Sequence, residues 1–334
     1  MSIISSLLRI LIVVVVVVAI IIAYINRLPN AEVNWDSLKN LTTDSVQHKI
    51  FELNSGRRIE YFEFGDLNNP NAEQLLIIPG TVQTGHYYTI SEKFHKAHNI
   101  RVICPTLPGS GSDIADYQFN ATSYINNDLD PLINHVFPEG DFSVVGVSMG
   151  GTIASHVASR YDRVKNLLLG VSMGPMTNIE ESEIEYITKS KPLRSMMQSK
   201  IVSTLLCFFI YLDVLRKEGA VLSKNEVLSA NREGFDPQHR KAIAKDFRRS
   251  VTHGFRGMTH AFDVMSSPWE VDWDQLSKKN VIILSGELDD TVPDEIQKYL
   301  HRKIKNSRFI SFDGAHIDVG DLLEEMVLLL LNKA

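Results

Sequence analysis

Residues 141–160 read "DFSVVGVSMGGTIASHVASR", in which an apolar stretch is followed by a run of small residues. The apolar stretch lacks polar alternation, which predicts a strand buried on both faces, as in a parallel sheet. Small side chains at Gly151 and Ala154 let the following segment, interpreted as a helix, pack closely against that sheet. Ser148 lies at the junction, with a glycine two residues before it and another two residues after it.

Two interpretations of this junction are open. Strand-to-helix turns often need glycine for close packing, and serine is a common turn residue, so the pattern can be purely steric. The pentapeptide G-x-S-x-G between a strand and a helix is also the nucleophile elbow, a strained turn that lifts a serine hydroxyl clear of the sheet. The flanking strand and helix favour the elbow, which makes Ser148 the candidate nucleophile.

A serine hydroxyl is a weak nucleophile unless a base accepts its proton and a carboxylate orients that base. In an open parallel sheet such groups belong at the carboxyl ends of strands, where ligands bind. Downstream, "VIILSGELDDTVP" (281–293) presents Asp289, and "FISFDGAHI" (309–317) presents His316. The chain order Ser148, Asp289, His316 matches that of the nucleophile, acid and base in α/β-hydrolase triads.

Each assignment has an alternative. Asp289 can instead cap a helix that begins near Pro293, and Asp290 is the alternative acid. His253 and His260 fall in a long helical region and can line a pocket, but no pattern marks them as the base. Seven further histidines lie in predicted helices or their flanks and are expected to be solvated: His86, His95, His98, His135, His156, His239 and His301.

The rest of the chain alternates between strands and helices. "KIFELNSGRRIEYFEFG" (49–65) predicts a hairpin turned at Asn54-Ser55-Gly56. Further strands are predicted within 74–80, 100–111, 164–174, 280–290 and 307–316, and helices over 86–98, 122–136 and 319–331. Continuous apolar strands separated by helices predict a mostly parallel sheet covered by helices on both faces, an α/β fold.

One interval and the N-terminus depart from this pattern. Residues 173–280 read as helices, and the stretch "MMQSKIVSTLLCFFIYL" (196–212), if helical, is apolar around most of its circumference. We interpret the interval as a helical lid over the carboxyl edge of the sheet. The predicted organisation is a membrane anchor at 1–27, a linker at 28–48, a first core segment at 49–172, the lid at 173–280 and a second core segment at 281–334.

The N-terminal stretch "LLRILIVVVVVVAIIIAYINR" (7–27) has no charged residue from Ile10 to Ile25. A bilayer span prefers about 20 apolar residues, and the flanking Arg9 and Arg27 can extend a shorter one by snorkelling. A cleaved signal peptide is the alternative, but no small-residue cleavage site follows. We therefore expect an uncleaved signal anchor and a membrane location, with the side of the membrane left open by the balanced flanking charges.

Composition excludes other classes of protein. The 334 residues carry a formal net charge of −6, which gives no footprint for nucleic-acid binding. No Cys/His spacing of the zinc type is present, so we expect no metal and no other cofactor. Cys104 and Cys207, the two cysteines, are interpreted as unpaired core residues.

The motifs "GVSMGG", "GELDDTVP", "DGAH" and the Pro-Gly-Ser-Gly-Ser run at 108–112 together resemble the α/β-hydrolase superfamily from Lys49 to the C-terminus. With an anchor and a helical cap, the chain is loosely similar to membrane-anchored monoacylglycerol lipases and carboxylesterases. The resemblance implies an oxyanion hole formed by the backbone N–H groups of Thr81 and Met149. The chain departs from the family where His-Gly is replaced by Pro79-Gly80, and where Thr106 stands in place of aspartate.

The resemblance and the three site residues predict a serine hydrolase that cleaves carboxylic esters, with a small-molecule or lipid substrate of monoacyl type. Acyl transfer to another alcohol, and hydrolysis of an amide or thioester, use the same triad and stay open. A catalytically inactive, membrane-tethered binding protein is a further alternative, although such relatives usually lack a triad member. A dehalogenase or an epoxide hydrolase needs a carboxylate at position 148, which serine excludes.

Overall fold

A computed structural model describes residues 42–216 and 237–333, together with residues 16, 17, 20, 21, 23 and 24. The strands in chain order are β1 (Val46–Glu52), β2 (Arg58–Gly65), β3 (Glu73–Ile78), β4 (Ile100–Pro105), β5 (Phe142–Val147), β6 (Val164–Gly170), β7 (Asn280–Gly286) and β8 (Arg308–Phe312). They form one sheet in the order β1-β2-β4-β3-β5-β6-β7-β8. Strand β2 runs antiparallel to β1 and β4, and all other neighbours are parallel.

The described helices are α1 (Glu92–Ala97), α2 (Ala121–Tyr124), α3 (Asp130–Val136), α4 (Met149–Arg160), α5 (Ile184–Lys189), α6 (Lys191–Gln198), α7 (Lys200–Arg216), α8 (Pro237–Ser250), α9 (Arg256–Ser266), α10 (Trp273–Leu276), α11 (Asp294–Lys303) and α12 (Val319–Leu330). A 3₁₀ segment (Tyr87–Ser91) precedes α1, and another (His316–Asp318) precedes α12. A π-helical segment (Ile125–Leu129) joins α2 to α3.

The two faces of the sheet bury separate apolar clusters. Along β3, Leu76 and Ile78 contribute to one cluster, and Leu75 and Ile77 to the other. Residues of α4 belong to the first cluster and residues of α12 to the second, so helices cover both faces. This alternation follows from the period of two along a strand, and it confirms the prediction of a mostly parallel sheet between helical layers.

The predicted hairpin is confirmed. Strands β1 and β2 pair in antiparallel register from Val46 opposite Phe64 to Glu52 opposite Arg58. The turn is closed by the Leu53 N–H, which donates to the Arg57 carbonyl over 2.8 Å. Strand β1 begins three residues before the predicted core boundary at Lys49.

The segment between β6 and β7, which we call the insert (171–279), contains α5 to α10 and confirms the predicted helical content where it is described. The apolar stretch 196–212 is not one helix, however. The chain takes up extended backbone at Ser199 (φ −90°, ψ 102°), so α6 ends at Gln198 and α7 begins at Lys200. The two helices meet with a bend of 94°. The role of the insert as a lid stays a prediction.

The predicted anchor at 1–27 and most of the predicted linker at 28–48 lie outside the described residues. Within the part of the chain that is described, no single helix has the length and apolar character needed to cross a bilayer. The bent pair formed by 191–198 and 200–214 meets these criteria together, by length and composition only.

Candidate active site

Ser148 occupies a strained turn between β5 and α4. Its backbone has φ 54° and ψ −124°, and a positive φ is uncommon for a residue with a side chain. Three backbone hydrogen bonds hold the turn: the Ser148 N–H donates to the Gly170 carbonyl (2.9 Å), and the Ser148 carbonyl accepts from Gly151 (3.0 Å) and Met173 (2.9 Å). The local geometry is that of a nucleophile elbow.

The glycines around Ser148 are required by close packing. A Cβ atom on Gly146 would lie 2.5 Å from the Cβ atom of Ala154 in α4. A Cβ atom on Gly150 would lie 2.2 Å from the carbonyl oxygen of Ile78 at the end of β3. The close packing of the steric interpretation and the strained turn of the elbow are therefore both present.

The predicted base and acid meet at the same edge of the sheet. His316 Nδ1 lies 2.7 Å from Asp289 Oδ2, and the Asp289 side chain is 1% exposed. The other carboxylate oxygen, Oδ1, accepts the N–H groups of Thr291 (2.9 Å) and Val292 (2.8 Å). Asp289 thus orders its own loop with one oxygen and contacts His316 with the other, while helix α11 begins only after Pro293.

Asp290, the alternative acid, points elsewhere. Its side chain is exposed at the rim of a cavity, whereas that of Asp289 is buried against the imidazole. The geometry therefore pairs His316 with Asp289 rather than with Asp290. The catalytic roles assigned to Ser148, Asp289 and His316 stay predictions.

Ser148 and His316 both line one cavity of about 720 Å³. Its floor is the carboxyl edge of the sheet, and its other walls come largely from the insert. The insert residues that line it are Met173, Lys189, Pro192, Leu193, Met196, Met197, Leu206, Ile210, Phe247, Phe262 and Met265. All but Lys189 are apolar, and Lys189 is exposed, as Asp290 is. The cavity is therefore apolar inside, with charged side chains at its rim.

The predicted oxyanion donors lie beside Ser148. Met149 is the first residue of α4, so its backbone N–H has no acceptor within the helix. Thr81 lines the same cavity as Ser148. A Cβ atom on the preceding Gly80 would lie 3.2 Å from the Cβ atom of Ser148, which shows how closely the loop after β3 approaches the serine.

A buried carboxylate, which the sequence did not reveal, lies next to Thr106. Glu60 of β2 is fully buried; its Oε1 lies 2.9 Å from His48 Nε2 and also contacts Arg249 of α8. Burial alone raises the pKa of Glu60, but the hydrogen bond with His48 and the charge of Arg249 bring it below its ordinary value. At the position where the resemblance leads us to expect aspartate, Thr106 donates its backbone N–H to the Glu60 carbonyl over 2.8 Å, next to this carboxylate.

A second buried carboxylate connects the insert to the loop after β3. Asp246 of α8 accepts the backbone N–H of Thr84 (2.7 Å) and its hydroxyl (2.5 Å). Burial raises the pKa of Asp246 to about 7, although the hydrogen bonds from Thr84 oppose this shift. The next residue, Phe247, lines the cavity, so this contact fixes the position of α8 relative to the site.

The expectation that the helical histidines are solvated is wrong for His95 and His156, which are 3% and 4% exposed. Nδ1 of each lies 2.8 Å from the carbonyl oxygen four residues earlier, which allows an imidazole to be buried in its own helix. Burial lowers the pKa of His95 and of the half-buried His86 to about 4. The side chain of His239 lies outside the described residues.

Neither His253 nor His260 lines the cavity with Ser148. Among the residues described, no three or more His, Cys, Asp or Glu side chains are placed to hold a metal ion. Cys104 and Cys207 are buried and unpaired, as predicted.

The sheet order and the serine turn before α4 define the architecture of an α/β hydrolase. A family model described as the alpha/beta hydrolase family matches residues 75–321. The chain belongs to this family, which supports hydrolase activity in general terms. A search of curated proteins finds no match.

The solved structures with the same fold include proteins that are named for different enzyme activities. A thermophilic esterase from Thermogutta terrifontis is 20% identical, with a TM-score of 0.59 over 86% of this chain and 98% of its own. A bromoperoxidase from Bacillus anthracis is 17% identical, with a TM-score of 0.62 over 86% of this chain and 100% of its own. An enol-lactonase from Burkholderia xenovorans LB400 is 16% identical, with a TM-score of 0.61 over 85% and 100%. At these identities the likeness shows the fold, and the reaction must be argued from the site.

Proposed function

We propose that the protein is a serine hydrolase that cleaves carboxylic esters with a lipophilic acyl chain. One observation carries the proposal: Ser148 and His316, with Asp289 behind the imidazole, open into a cavity whose inner wall is apolar. The polar groups at the sheet edge match the chemistry of an ester carbonyl. The apolar wall matches an alkyl chain.

The reaction proceeds through an acyl-enzyme. The Ser148 hydroxyl oxygen attacks the ester carbonyl carbon while His316 accepts the hydroxyl proton, and Asp289 stabilises the imidazolium. The N–H groups of Thr81 and Met149 bind the oxyanion of the tetrahedral intermediate. His316 then protonates the leaving alcohol, the ester bond breaks, and water releases the acid by the same route.

In this proposal the acyl chain lies among the side chains of α6, α7 and α9, and the alcohol faces the charged rim. Lys189 and Asp290 at the rim keep that end hydrated. Each buried methylene contributes about 0.8 kcal/mol, which is roughly fourfold in the specificity constant. Specificity constants therefore rise with chain length until the cavity is full.

The substrate is presented from a lipid surface. Helix α7 carries two opposed apolar faces. On one face, Cys207 and Val214 are buried. On the other face four apolar side chains are exposed: Ile201 (56%), Val202 (46%), Phe209 (57%) and Leu212 (37%). A surface helix of a water-soluble protein needs only one apolar stripe. With residues 10–25, which carry no charge, as the membrane anchor, we propose that this outer face lies near the bilayer.

The test is labelling of Ser148 by a fluorophosphonate, followed by kinetics on p-nitrophenyl esters from acetyl to decanoyl below their micelle concentrations. We expect labelling at Ser148 and a specificity constant that climbs with chain length. Equal specificity constants for acetyl and decanoyl esters would contradict a lipophilic substrate. Transfer of the acyl group to an added alcohol in preference to water would instead identify an acyltransferase.

A further inference from the structure

The loop after β3 carries the predicted oxyanion donor Thr81 in an unusual conformation. Val82 has φ 63°, and a positive φ is a genuine outlier for a β-branched residue. Such strain persists only when the surrounding structure holds it in place. The Pro79-Gly80 pair, which replaces the family's His-Gly, has no side chain that could donate or accept a hydrogen bond for this purpose.

Gln83 holds the loop from within. Its Oε1 accepts the backbone N–H of Gly80 over 3.0 Å, and its own backbone N–H donates to the Gly80 carbonyl over 3.3 Å. Because a backbone N–H can only donate, the side-chain atom facing it must be the amide oxygen. Gln83 therefore holds both peptide groups that flank Gly80, one through the Gly80 N–H and the other through the Gly80 carbonyl.

The second of these peptide groups includes the N–H of Thr81. The Gly80 carbonyl and the Thr81 N–H belong to one planar trans peptide and point in opposite directions. Fixing the Gly80 carbonyl on Gln83 thus fixes the direction of the Thr81 N–H on the other side of the plane.

Tyr88 ties this arrangement to the body of the protein. Its hydroxyl donates to the same Oε1 of Gln83 over 2.9 Å, and the side chain is 3% exposed. Burial raises the pKa of Tyr88 well above its ordinary value, so the hydroxyl keeps its proton and remains a donor. Gln83 accepts two hydrogen bonds, one from the loop and one from a buried side chain.

Gln83 also lies next to the reacting groups. It lines a small cavity of about 50 Å³ together with Thr81, Ser148 and His316. A Cβ atom on Gly80 would lie 3.1 Å from Gln83 Oε1 and 3.2 Å from the Cβ atom of Ser148. The glutamine and the serine thus contact the same glycine from two directions.

We propose that Gln83 is the positioning residue of the oxyanion hole, aligning the Gly80–Thr81 peptide with the tetrahedral intermediate. The inference rests on the proposed function, since it requires an oxyanion at Ser148. Gln83 acts through Thr81, whose N–H is needed most in the transition state. Loss of the Gln83 side chain therefore lowers kcat and leaves substrate binding largely unchanged.

The test compares Gln83→Met with Gln74→Met in the full-length chain. Gln74 lies at the opposite end of β3 and also makes two side-chain hydrogen bonds, to the Ala72 carbonyl (2.7 Å) and from Arg101 (2.7 Å). We expect Gln83→Met to lower kcat on the order of 10- to 100-fold, because small misplacements of catalytic groups have effects of this size. KM should change less than about twofold. Affinity for a boronic acid that forms a tetrahedral adduct with Ser148 should fall by the same factor as kcat.

Gln74→Met should keep the wild-type kcat and the wild-type boronic acid affinity. An unchanged kcat in Gln83→Met, a boronic acid affinity that does not fall with kcat, or an equal loss in Gln74→Met would each overturn the inference. Should Gln83→Met fail to fold, Tyr88→Phe removes only the second donor and should show a smaller loss with the same division between kcat and KM. A wild-type protein that no fluorophosphonate labels would overturn the proposed function itself, and that failure is seen before any variant is compared.

Discussion

The floor and the roof of the cavity are built in different ways. On the floor, at the carboxyl edge of the sheet, Asp289 is fixed by His316 and two backbone N–H groups, and Gln83 by Gly80 and Tyr88. The roof, formed by the insert, presents apolar side chains such as Leu206 and Ile210. The reaction proposed for the floor depends on the positions of individual atoms. Binding by the roof depends on the volume and polarity of its side chains. Substitutions on the floor should therefore abolish the reaction, and substitutions on the roof should change which ester is preferred.

The largest effect is expected at Ser148. Ser148→Ala removes the nucleophile and should lower ester hydrolysis by about 10⁵-fold or more, as in other enzymes that lose this group. Thermal unfolding should stay close to wild type, because the hydroxyl supports little packing. Ser159→Ala, in the helix α4 that follows Ser148, is the control and should keep full labelling by a fluorophosphonate. Undiminished labelling of Ser148→Ala would show that the nucleophile has been misassigned.

Asp289→Asn should have the next largest effect. The change leaves the loop contacts largely in place but favours the wrong tautomer of His316, which lowers kcat by about 10⁴-fold in comparable triads. Asp290→Asn is the matched control on the adjacent residue and should change kcat less than about threefold, since its exposed side chain lies away from the imidazole. If Asp290→Asn is the damaging change, the two roles must be exchanged.

Asp246 joins floor and roof, and its effect should appear in stability rather than in chemistry. Its folded-state pKa of about 7 lies above the ordinary value of 3.8, so between these pH values the folded protein binds a proton that the unfolded chain lacks. Stability from this group is present at low pH and is lost as pH rises toward 7. Asp246→Asn has no such titrating group. The difference in free energy of unfolding between wild type and this variant should therefore fall by about 2 kcal/mol between pH 5 and pH 7.

Denaturant unfolding of both proteins at pH 5, 6 and 7 measures this difference. Unfolding free energies that stay parallel across the three pH values would show that Asp246 is ionised throughout. Any pH dependence that the two proteins share would then come from another group.

The smallest effect is expected on the roof. Leu206→Asn places an amide in the apolar wall and should lower the ratio of decanoyl to acetyl specificity constants by about tenfold, because a buried polar group without a partner costs about 1–3 kcal/mol. Leu212→Asn makes the same substitution on the exposed face of α7 and should leave the ratio measured on soluble esters unchanged. Equal changes in both variants would mean that the roof packs on itself and does not bind the acyl chain.

The placement of Ser148, Asp289 and His316 at one edge of the sheet could be predicted because the turn and the strand ends require particular residues in a fixed order. The strained turn at Ser148 admits few sequences, and the chain order of Asp289 and His316 follows from the order of the strands. What escaped prediction depends on contacts between distant residues. Thr84 and Asp246 are 162 positions apart, and no local pattern connects them. Gln83 offered a weak signal, since it lies three residues after Gly80 in a loop that needs a hydrogen-bonding side chain.

For the roof, only the type of structure could be predicted, not the bounds of its helices. Its apolar composition indicated helices and buried surface, but the break at Ser199 between α6 and α7 carries no glycine or proline to announce it. The buried His95 and His156 were missed because the carbonyl four residues earlier satisfies Nδ1 of each, and because His156 Nε2 accepts the N–H of Glu270, 114 positions away, over 3.3 Å.

The backbone at Ser148 has a consequence for how this chain can evolve. A residue held at φ 54° costs about 1–3 kcal/mol of stability, and glycine at the same position would be free of that cost. If the proposed reaction were no longer under selection, the single substitution Ser148→Gly would relieve this strain. Under the proposed function, selection for the hydroxyl is what keeps serine at this strained position, since folding alone favours glycine there.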